Sequence, residues 1–458
     1  MVVDLLIKNV SIPMMEGNKT LTRDILVVGE KIVCISRGVE LEAGKVVDAK
    51  GLLLLPGAID PHVHFNDPGY TFREDFFHGS LSALYGGVIM VMDIPSTSIP
   101  EVTNPENLKI KLEEINNKSF IDFGLYGGIS GSTIKKETFK KDIDGLIEEG
   151  VFGFKVRTIS GKINYPGLSY VEINNVLGLL KNTGLPMLVH AEDEVLVELS
   201  TKKVLEEKDH SLMAWVRARP VEAEIMAVKN ILNVQGTTNG RVHFVHISSG
   251  VSVEEIALAK ERGFQVTAET APHYLFFTQD DYSTLGSILK TAPPVRTLED
   301  REILWEGLKK GIIDYIATDH APAEHPREKS SGSILTDYAG IPGVQLMLHF
   351  MFSEGYLKGR IDLETLVKVT STNAAKVWGL YPRKGSLAPG ADADLVLINP
   401  EESWVITPDL LKSKNKYTPF TGLKITGKVE RVFLRGKEIL RGDLLTGKPG
   451  DGRFTRRQ

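Results

Sequence analysis

LLLLPGAIDPHVH (residues 52–64) is an apolar run that ends in the histidine pair His62 and His64. In a β-strand, residues i and i+2 point to the same face, so the two imidazoles lie on one side about 6 Å apart. Two imidazoles placed in this way can bind one metal ion together. Taken alone, the pair fits two solvated or hydrogen-bonded histidines better than a metal site, and the rest of the chain shifts that interpretation.

Apolar runs of strand length alternate with amphipathic helical stretches, such as 221–232 and 253–262, from residue 56 to residue 365. Continuous apolar strands that alternate with helices predict a parallel sheet covered on both faces. The pattern contains about six to eight such units, which favours a closed barrel over an open sheet. We therefore predict an α/β fold in which 56–365 form a metal-dependent, TIM-like (β/α)8 barrel.

Short strands flanked by glycine turns occupy both ends of the chain. We expect 1–55 to form the N-terminal part of a small β-sandwich, and 366–458 to supply a C-terminal helix and the remainder of that sandwich. The segment 323–340 is rich in charged residues, serine and glycine. A segment of this length is either an active-site lid or a surface loop.

The composition excludes several classes of protein. The 458 residues are 42% hydrophobic and 25% charged, which is typical of a globular protein, and the net charge of −5 gives no basic field for nucleic acid. A single cysteine, Cys34, excludes a disulfide framework and a cysteine-rich metal site. No apolar run has the ~18 residues of a membrane span, and no secretory signal or P-loop motif is present, so we expect a cytoplasmic protein.

Three further polar residues follow apolar runs of strand length. His190 comes after 186–189, His246 after 242–245, and Asp319 after 315–318. The carboxyl ends of the strands are where a βα barrel places its chemistry. Together with the first histidine pair, these positions predict a metal site.

Lys155 lies inside the apolar run 151–156. A buried ammonium group is unfavourable unless it is paired or deprotonated. One interpretation is a lysine that forms an ion pair with an acid at the barrel mouth, and the spacing alone favours it. The second interpretation is a neutral amine that reacts with CO₂ to give a carbamate, which is a carboxylate able to bridge two metal ions.

Taken together, the motifs resemble the amidohydrolase superfamily, in particular the cyclic amidohydrolases: allantoinase, dihydroorotase and hydantoinase/dihydropyrimidinase. The likeness extends over essentially the whole chain. The segments that carry it are PGAIDPHVH (56–64), GFK (153–155), VHAE (189–192), VHISS (245–249), ATDHAP (317–322) and KGSLAPGADADL (384–395).

The resemblance implies a catalytic centre with two divalent metal ions, usually zinc. Its ligands would be His62, His64 and Asp319 at the more buried metal, His190 and His246 at the other, and a CO₂-derived carbamate on Lys155 bridging both. Asp319 would also move the proton from the attacking hydroxide to the leaving nitrogen. The substrate would be a small cyclic amide, held by Asn66, Ser96, Ser249, Ala292 and Pro294. Relatives of this kind form homodimers or homotetramers, so we expect a homo-oligomer.

Asn66 bears on which cyclic amide is opened. Dihydroorotases usually read the substrate carboxylate with an arginine at this position, and an asparagine lacks the planar bidentate donor. This favours an allantoinase of purine catabolism, which converts allantoin to allantoate. Segments 69–71 and 318–322 look closer to a dihydroorotase of pyrimidine biosynthesis, which is the alternative. Ser96 replaces an asparagine that is expected in both allantoinases and dihydroorotases, so the sequence does not decide which of the two substrates is used.

A hydantoinase and a metal-free, non-catalytic homologue are both less favoured. Hydantoinases usually carry a tyrosine shortly after the bridging lysine, whereas Arg-Thr-Ile-Ser (157–160) follows it here. A non-catalytic role is disfavoured because all six ligand-type residues are present. Either Arg73 or Arg157 could supply the cation that Asn66 does not, but we expect each of them to be an exposed loop arginine.

Overall fold

A computed structural model describes residues 3–14, 16–160 and 164–457. Within these residues the strands are β1 (Val3–Pro13), β2 (Thr20–Val28), β3 (Lys31–Ser36), β4 (Ala43–Asp48), β5 (Leu53–Pro56), β6 (Ala58–Val63), β7 (Val88–Asp93), β8 (Asp122–Leu125), β9 (Gly127–Gly128), β10 (Phe154–Arg157), β11 (Met187–His190), β12 (Val242–Phe244), β13 (Val266–Thr270), β14 (Tyr315–Ile316), β15 (Leu395–Val405), β16 (Lys424–Leu434), β17 (Lys437–Arg441) and β18 (Leu444–Leu445).

The helices lie mainly between the parallel strands. They are α1 (Phe76–Tyr85), α2 (Pro105–Glu114), α3 (Phe139–Glu148), α4 (Tyr170–Leu180), α5 (Glu194–Glu206), α6 (Ala214–Ala218), α7 (Val221–Thr238), α8 (Gly250–Glu261), α9 (Pro272–Phe276), α10 (Tyr282–Leu285), α11 (Leu298–Lys309), α12 (Met347–Phe350), α13 (Leu363–Val367) and α14 (Asn373–Val377). Several begin at a side chain that accepts a backbone N–H bond, as Asp193 does for α5 and Thr297 for α11. In the described part of the chain, none of these helices has the length and apolar character of a membrane span.

Strands β6 to β14 form two parallel sheets, β6-β7-β8 and β9-β10-β11-β12-β13-β14. Hydrogen bonds connect the sheets at both edges. On one side Phe152 N–H donates to the carbonyl of Leu125 (3.0 Å), and on the other His64 N–H donates to the carbonyl of His320 (2.8 Å). The predicted α/β architecture with parallel strands is confirmed, and the carboxyl ends of β6, β11 and β14 meet at one face.

The two ends of the chain pair in a nine-stranded sheet of order β18-β17-β16-β15-β5-β1-β2-β3, with β4 beside β1. Side chains alternate across β5. Leu54 packs in a small core with Leu397, whereas Leu53 and Leu55 join the large core of the parallel-strand region. The N- and C-terminal segments therefore form one β unit seated on the rest of the protein. Helix α13 runs across residue 365, the predicted end of the barrel segment.

Candidate metal centre

The first ligand group forms where β6 ends and the chain leaves β14. The possible ligand atoms of His62, His64 and Asp319 all lie within 4.8 Å of one another. Asp319 Oδ1 is 2.9 Å from His64 Nε2 and 3.3 Å from His62 Nε2. Two imidazole nitrogens and one carboxylate oxygen that converge in this way match the ligands of a divalent transition metal such as zinc.

A second histidine pair lies beside this group. His190 ends β11, and its Nδ1 is 3.0 Å from Nε2 of His246. The ring of His246 is in turn 5.5 Å from that of His62, measured between ring centroids. The structure thus brings all four predicted histidine ligands into adjacent positions at one face.

Lys155 is fully buried on β10, and its Nζ has no hydrogen-bond partner among the described residues. Burial, together with the positive charge of the neighbouring Arg157, lowers the pKa of this lysine to about 7. The interpretation of Lys155 as one half of an ion pair is therefore wrong. A buried amine without a partner, of which a large fraction is neutral at pH 7, has the chemistry that carbamate formation requires.

The backbone is strained at two of the candidate ligands. His246 has φ = 40° and Asp319 has φ = 48°, in the left-handed region that residues other than glycine rarely adopt. Strain of this kind persists only where the surrounding structure enforces it, and it is concentrated at functional sites. Here it turns the two side chains away from the strand direction and toward the ligand groups.

Two buried carboxylates contact the ring nitrogens of His62 and His190 that point away from the centre. Glu269 contacts Nδ1 of His62, and Glu192 lies 2.9 Å from Nε2 of His190. Arg219 in turn donates to Glu192, with 3.0 Å between its Nε and Oε1. Burial acts to raise the pKa of both carboxyls, but Arg219 and His190 beside Glu192, and His62 and His243 beside Glu269, hold each pKa below its usual range. These contacts leave His62 Nε2 and His190 Nδ1 as the nitrogens that face the centre.

The charge state of the group suits metal binding. Burial lowers the pKa of His64 to about 3 and that of His190 to about 4, so both rings are neutral at pH 7. Burial acts to raise the pKa of Asp319, but His62 and His64 hold it well below its usual range. Neutral imidazoles and an ionised carboxylate are the forms that bind a metal.

Two further histidines make their contacts away from the centre. His243 contacts Thr267 Oγ1 at 2.8 Å, and His320 pairs with Glu74 at 3.1 Å. His273 is buried nearby, and burial lowers its pKa to about 4.

A second group of possible ligands, made of Glu74, Asp75 and His78, lies within the described residues. Its members have structural partners. Asp75 accepts the backbone N–H of His78 at the start of α1 (2.8 Å) and an ion pair from Lys414 (2.9 Å). We therefore assign this second group a role in the stability of the fold and not in metal binding.

A cavity of about 870 Å³ opens over the centre. The five candidate His and Asp ligands line its floor, and Arg157, Trp215, Arg219 and Tyr338 are among the residues of its walls. Because Tyr338 and Ala339 line the cavity, the end of segment 323–340 is part of the site and not an inert surface loop.

The five predicted substrate contacts differ in their position relative to the cavity. Ala292 lines the cavity, whereas Asn66, Ser96, Ser249 and Pro294 are buried and lie outside its lining. Ser249 accepts a hydrogen bond from Ser252 N–H (3.3 Å) at the start of α8.

The expectation that Arg73 and Arg157 are exposed loop residues is wrong. Arg73 forms an ion pair with Glu328 at 2.7 Å, and its side chain is 13% exposed. Arg157 is the last residue of β10 and lines the cavity.

The sequence as a whole matches one family model, described as the amidohydrolase family, over residues 53–439. The chain belongs to the amidohydrolase family. The predicted resemblance is confirmed, and the protein is a hydrolase. This amidohydrolase is similar to the allantoinase of Rubrobacter xylanophilus, with 33% identity over 92% of this chain and 91% of that protein. It is also 33% identical to the allantoinase of Deinococcus radiodurans, over 98% of both chains. Among solved structures, the L-hydantoinase (dihydropyrimidinase) of Arthrobacter aurescens matches with a TM-score of 0.95 and 30% identity over 100% of both chains.

Two carboxylates that contact the candidate metal ligands of this amidohydrolase were not predicted from the sequence. Glu192 was detectable, because it lies two residues after His190 and shares its side of the chain. Glu269 is 207 positions from His62, and no local pattern joins the two.

Proposed function

We propose that this amidohydrolase opens the ring of a cyclic ureide with a two-metal centre, and that its substrate is allantoin, hydrolysed to allantoate. Two observations together carry the proposal. The two groups of candidate ligands line one cavity, and the buried Nζ of Lys155 has no hydrogen-bond partner among the described residues. The names of the allantoinase relatives support the choice of substrate.

The donor set fits two zinc ions. His62, His64 and Asp319 would hold one ion, His190 and His246 the other, and carbamylated Lys155 would join them. The buried, unpartnered Nζ of Lys155 supports this role, because a carbamate would give that position a charge that two cations balance. When bound, the metals supply a hydroxide at neutral pH and polarise the amide carbonyl.

Asp319 is the residue that moves the proton. It lies at the cavity floor as an ionised carboxylate, so it can accept a proton from the attacking water and deliver it to the leaving ring nitrogen. Its backbone and its contact with His64 fix its position. Glu192 and Glu269 keep the imidazoles oriented, and the walls formed by Trp215 and Tyr338 limit the access of water.

The architecture proposed around this centre is a closed barrel with a sandwich beside it. The two parallel sheets would close into one (β/α)8 barrel over 56–365, and the terminal segments 1–55 and 366–458 would complete a β-sandwich. The substrate contacts that the family resemblance implies are Asn66, Ser96, Ser249, Ala292 and Pro294. A cytoplasmic location and a homodimer or homotetramer stay predictions, and light scattering after size exclusion tests the second.

The test is a comparison of kcat/KM for allantoin, dihydroorotate and 5,6-dihydrouracil with zinc-loaded enzyme. We expect allantoin to be preferred at least tenfold, and Asp319→Asn to abolish its turnover. A preference for dihydroorotate or dihydrouracil would show that the assigned substrate is wrong. No turnover of any of the three, with both metals bound, would exclude all three substrates.

A further inference from the structure

Arg157 occupies a special position relative to the metal centre. In the parallel pairing of β10 with β11, Arg157 lies directly beside His190, and Lys155 is paired with Leu188 one pleat deeper. Residues i and i+2 of a strand share a face, so Arg157 and Lys155 point to the same side. At about 3.3 Å per residue, Arg157 lies about 7 Å closer to the cavity mouth than Lys155. This is the level at which a substituent of a ring bound at the centre would project.

The other arginines near the cavity have carboxylate partners. Arg219 is bonded to Glu192 and Arg73 to Glu328. By contrast, Arg157 has no ion pair within residues 3–14, 16–160 and 164–457, and its buried Nε has no hydrogen-bond partner there. A buried donor left unpaired is unfavourable, so a donor of this kind that lines a cavity points to a ligand that completes it.

Arg157 also lies close to both ligand groups. It is the register partner of His190, and it lines the cavity together with His64 and Asp319. By contrast, Lys202, another cation of the cavity wall, has a side chain that is 74% exposed.

We propose that Arg157 is the specificity-determining residue that binds an acceptor oxygen on the substituent of the bound ring. This inference rests on the proposed function. The planar guanidinium presents several N–H donors, which suit the ureido carbonyl of allantoin or the carboxylate of dihydroorotate. A ring without such a substituent leaves the buried donors unpaired and is rejected, because unpaired polar groups weaken binding of the transition state.

The experiment compares allantoin with hydantoin, which has the same ring without the ureido substituent. In Arg157→Met, kcat/KM for allantoin should fall about 10- to 150-fold, the range expected for loss of charged hydrogen bonds. The value for hydantoin should change less than about threefold, because hydantoin has no oxygen at that place. Arg157→Lys, which keeps the charge but not the planar donors, should fall between Arg157→Met and the wild type.

The matched control is Arg73→Met, which removes a guanidinium that is already paired with Glu328 and lies over the ring of Tyr338, a residue of the cavity wall. It should leave the allantoin-to-hydantoin ratio unchanged. Zinc content is measured in every variant, and Arg157→Met should keep the wild-type amount. Equal losses on both substrates, or a loss of zinc, would overturn the proposal in favour of a role in the metal centre. A wild type that hydrolyses hydantoin as well as allantoin would also overturn it.

The same set of variants separates the role of Arg157 from the proposed function. If the wild type hydrolyses dihydroorotate and not allantoin, the assigned substrate is wrong. Dihydroorotate and dihydrouracil, which differ only in the carboxylate, then form the test pair. A selective loss on dihydroorotate in Arg157→Met would still support the specificity role, and an unselective loss would refute it.

Discussion

Replacing Glu269 should weaken the metal site without touching a ligand atom. Glu269 contacts Nδ1 of His62 through one oxygen and lies 3.1 Å from Nε2 of His243 through the other. It also accepts the backbone N–H of His246 at 3.3 Å. One buried carboxylate thus orients one proposed ligand of each metal. Loss of such a partner typically lowers metal affinity 10- to 100-fold, about 1.4–2.7 kcal/mol.

Two substitutions of Glu269, to glutamine and to leucine, should lower zinc affinity by different amounts within that range. Glu269→Gln keeps one carbonyl oxygen for His62 and His246, but it loses the charge and places an amide donor opposite His243 Nε2. We therefore expect zinc affinity to fall about tenfold. Glu269→Leu removes every one of these contacts, and the fall should approach ~100-fold. At saturating zinc, Glu269→Gln should regain most of its activity, because Asp319 and the ligands are unchanged.

The assay is competition for zinc against a chelator, with the melting temperature recorded in parallel. Glu74→Gln is the matched control, because Glu74 is an equally buried carboxylate paired with a histidine, His320, that is not a proposed ligand. It should lower the melting temperature and leave zinc affinity within about twofold of wild type. Wild-type zinc affinity in both Glu269 variants would refute the reasoning, whatever the change in stability.

Three more outcomes are expected. Lys155→Ala should fold but lose metal and activity together, and short-chain carboxylic acids should restore part of both; full zinc occupancy in the variant would contradict the bridging role. Because burial lowers the pKa of Lys155 to about 7, its neutral fraction rises about tenfold from pH 6 to pH 8. Reactivation of metal-free enzyme by zinc at fixed dissolved CO₂ should rise in the same proportion, and a flat profile would count against the carbamate. Lys384→Met should lower the free energy of unfolding by about 3–5 kcal/mol, because Asp394, 2.6 Å from Nζ, loses its buried lysine partner and Asp122, 2.8 Å from Nζ, is left with Arg435; urea denaturation measures the loss, and an unchanged midpoint would contradict it.

The ligand positions were predictable because each of them is tied to a strand end. An apolar run of strand length followed by His or Asp is a local pattern, and the parallel arrangement of the strands brings those ends to one face. Strand alternation does not place His320 and His243, because the left-handed backbone at Asp319 and His246 interrupts it. Their contacts with Glu74 and Thr267 hold the two rings away from the centre.

The partners of those ligands were not predictable. Nothing near His62 in the sequence indicates Glu269, and nothing near Glu192 indicates that Arg219 neutralises it. Lys155 shows that a predicted partner can also be missing. The spacing favoured an ion pair, and among the described residues the fold provides none. Such contacts join residues of different strands and helices, so they exist only after the elements pack.

The sequence by itself thus determined the family, the alternation of strands and helices and the residues at the strand ends, because these follow from short-range periodicity. Only the tertiary structure decided which charges are paired. It pairs Glu192 and Glu269 with histidines and Glu328 with Arg73, and among the residues that the structure describes it leaves Lys155 and Arg157 without carboxylate partners. The physical reason is that burial and counter-charge, which set the pKa and the reactivity of a group, depend on the packing of distant segments around it.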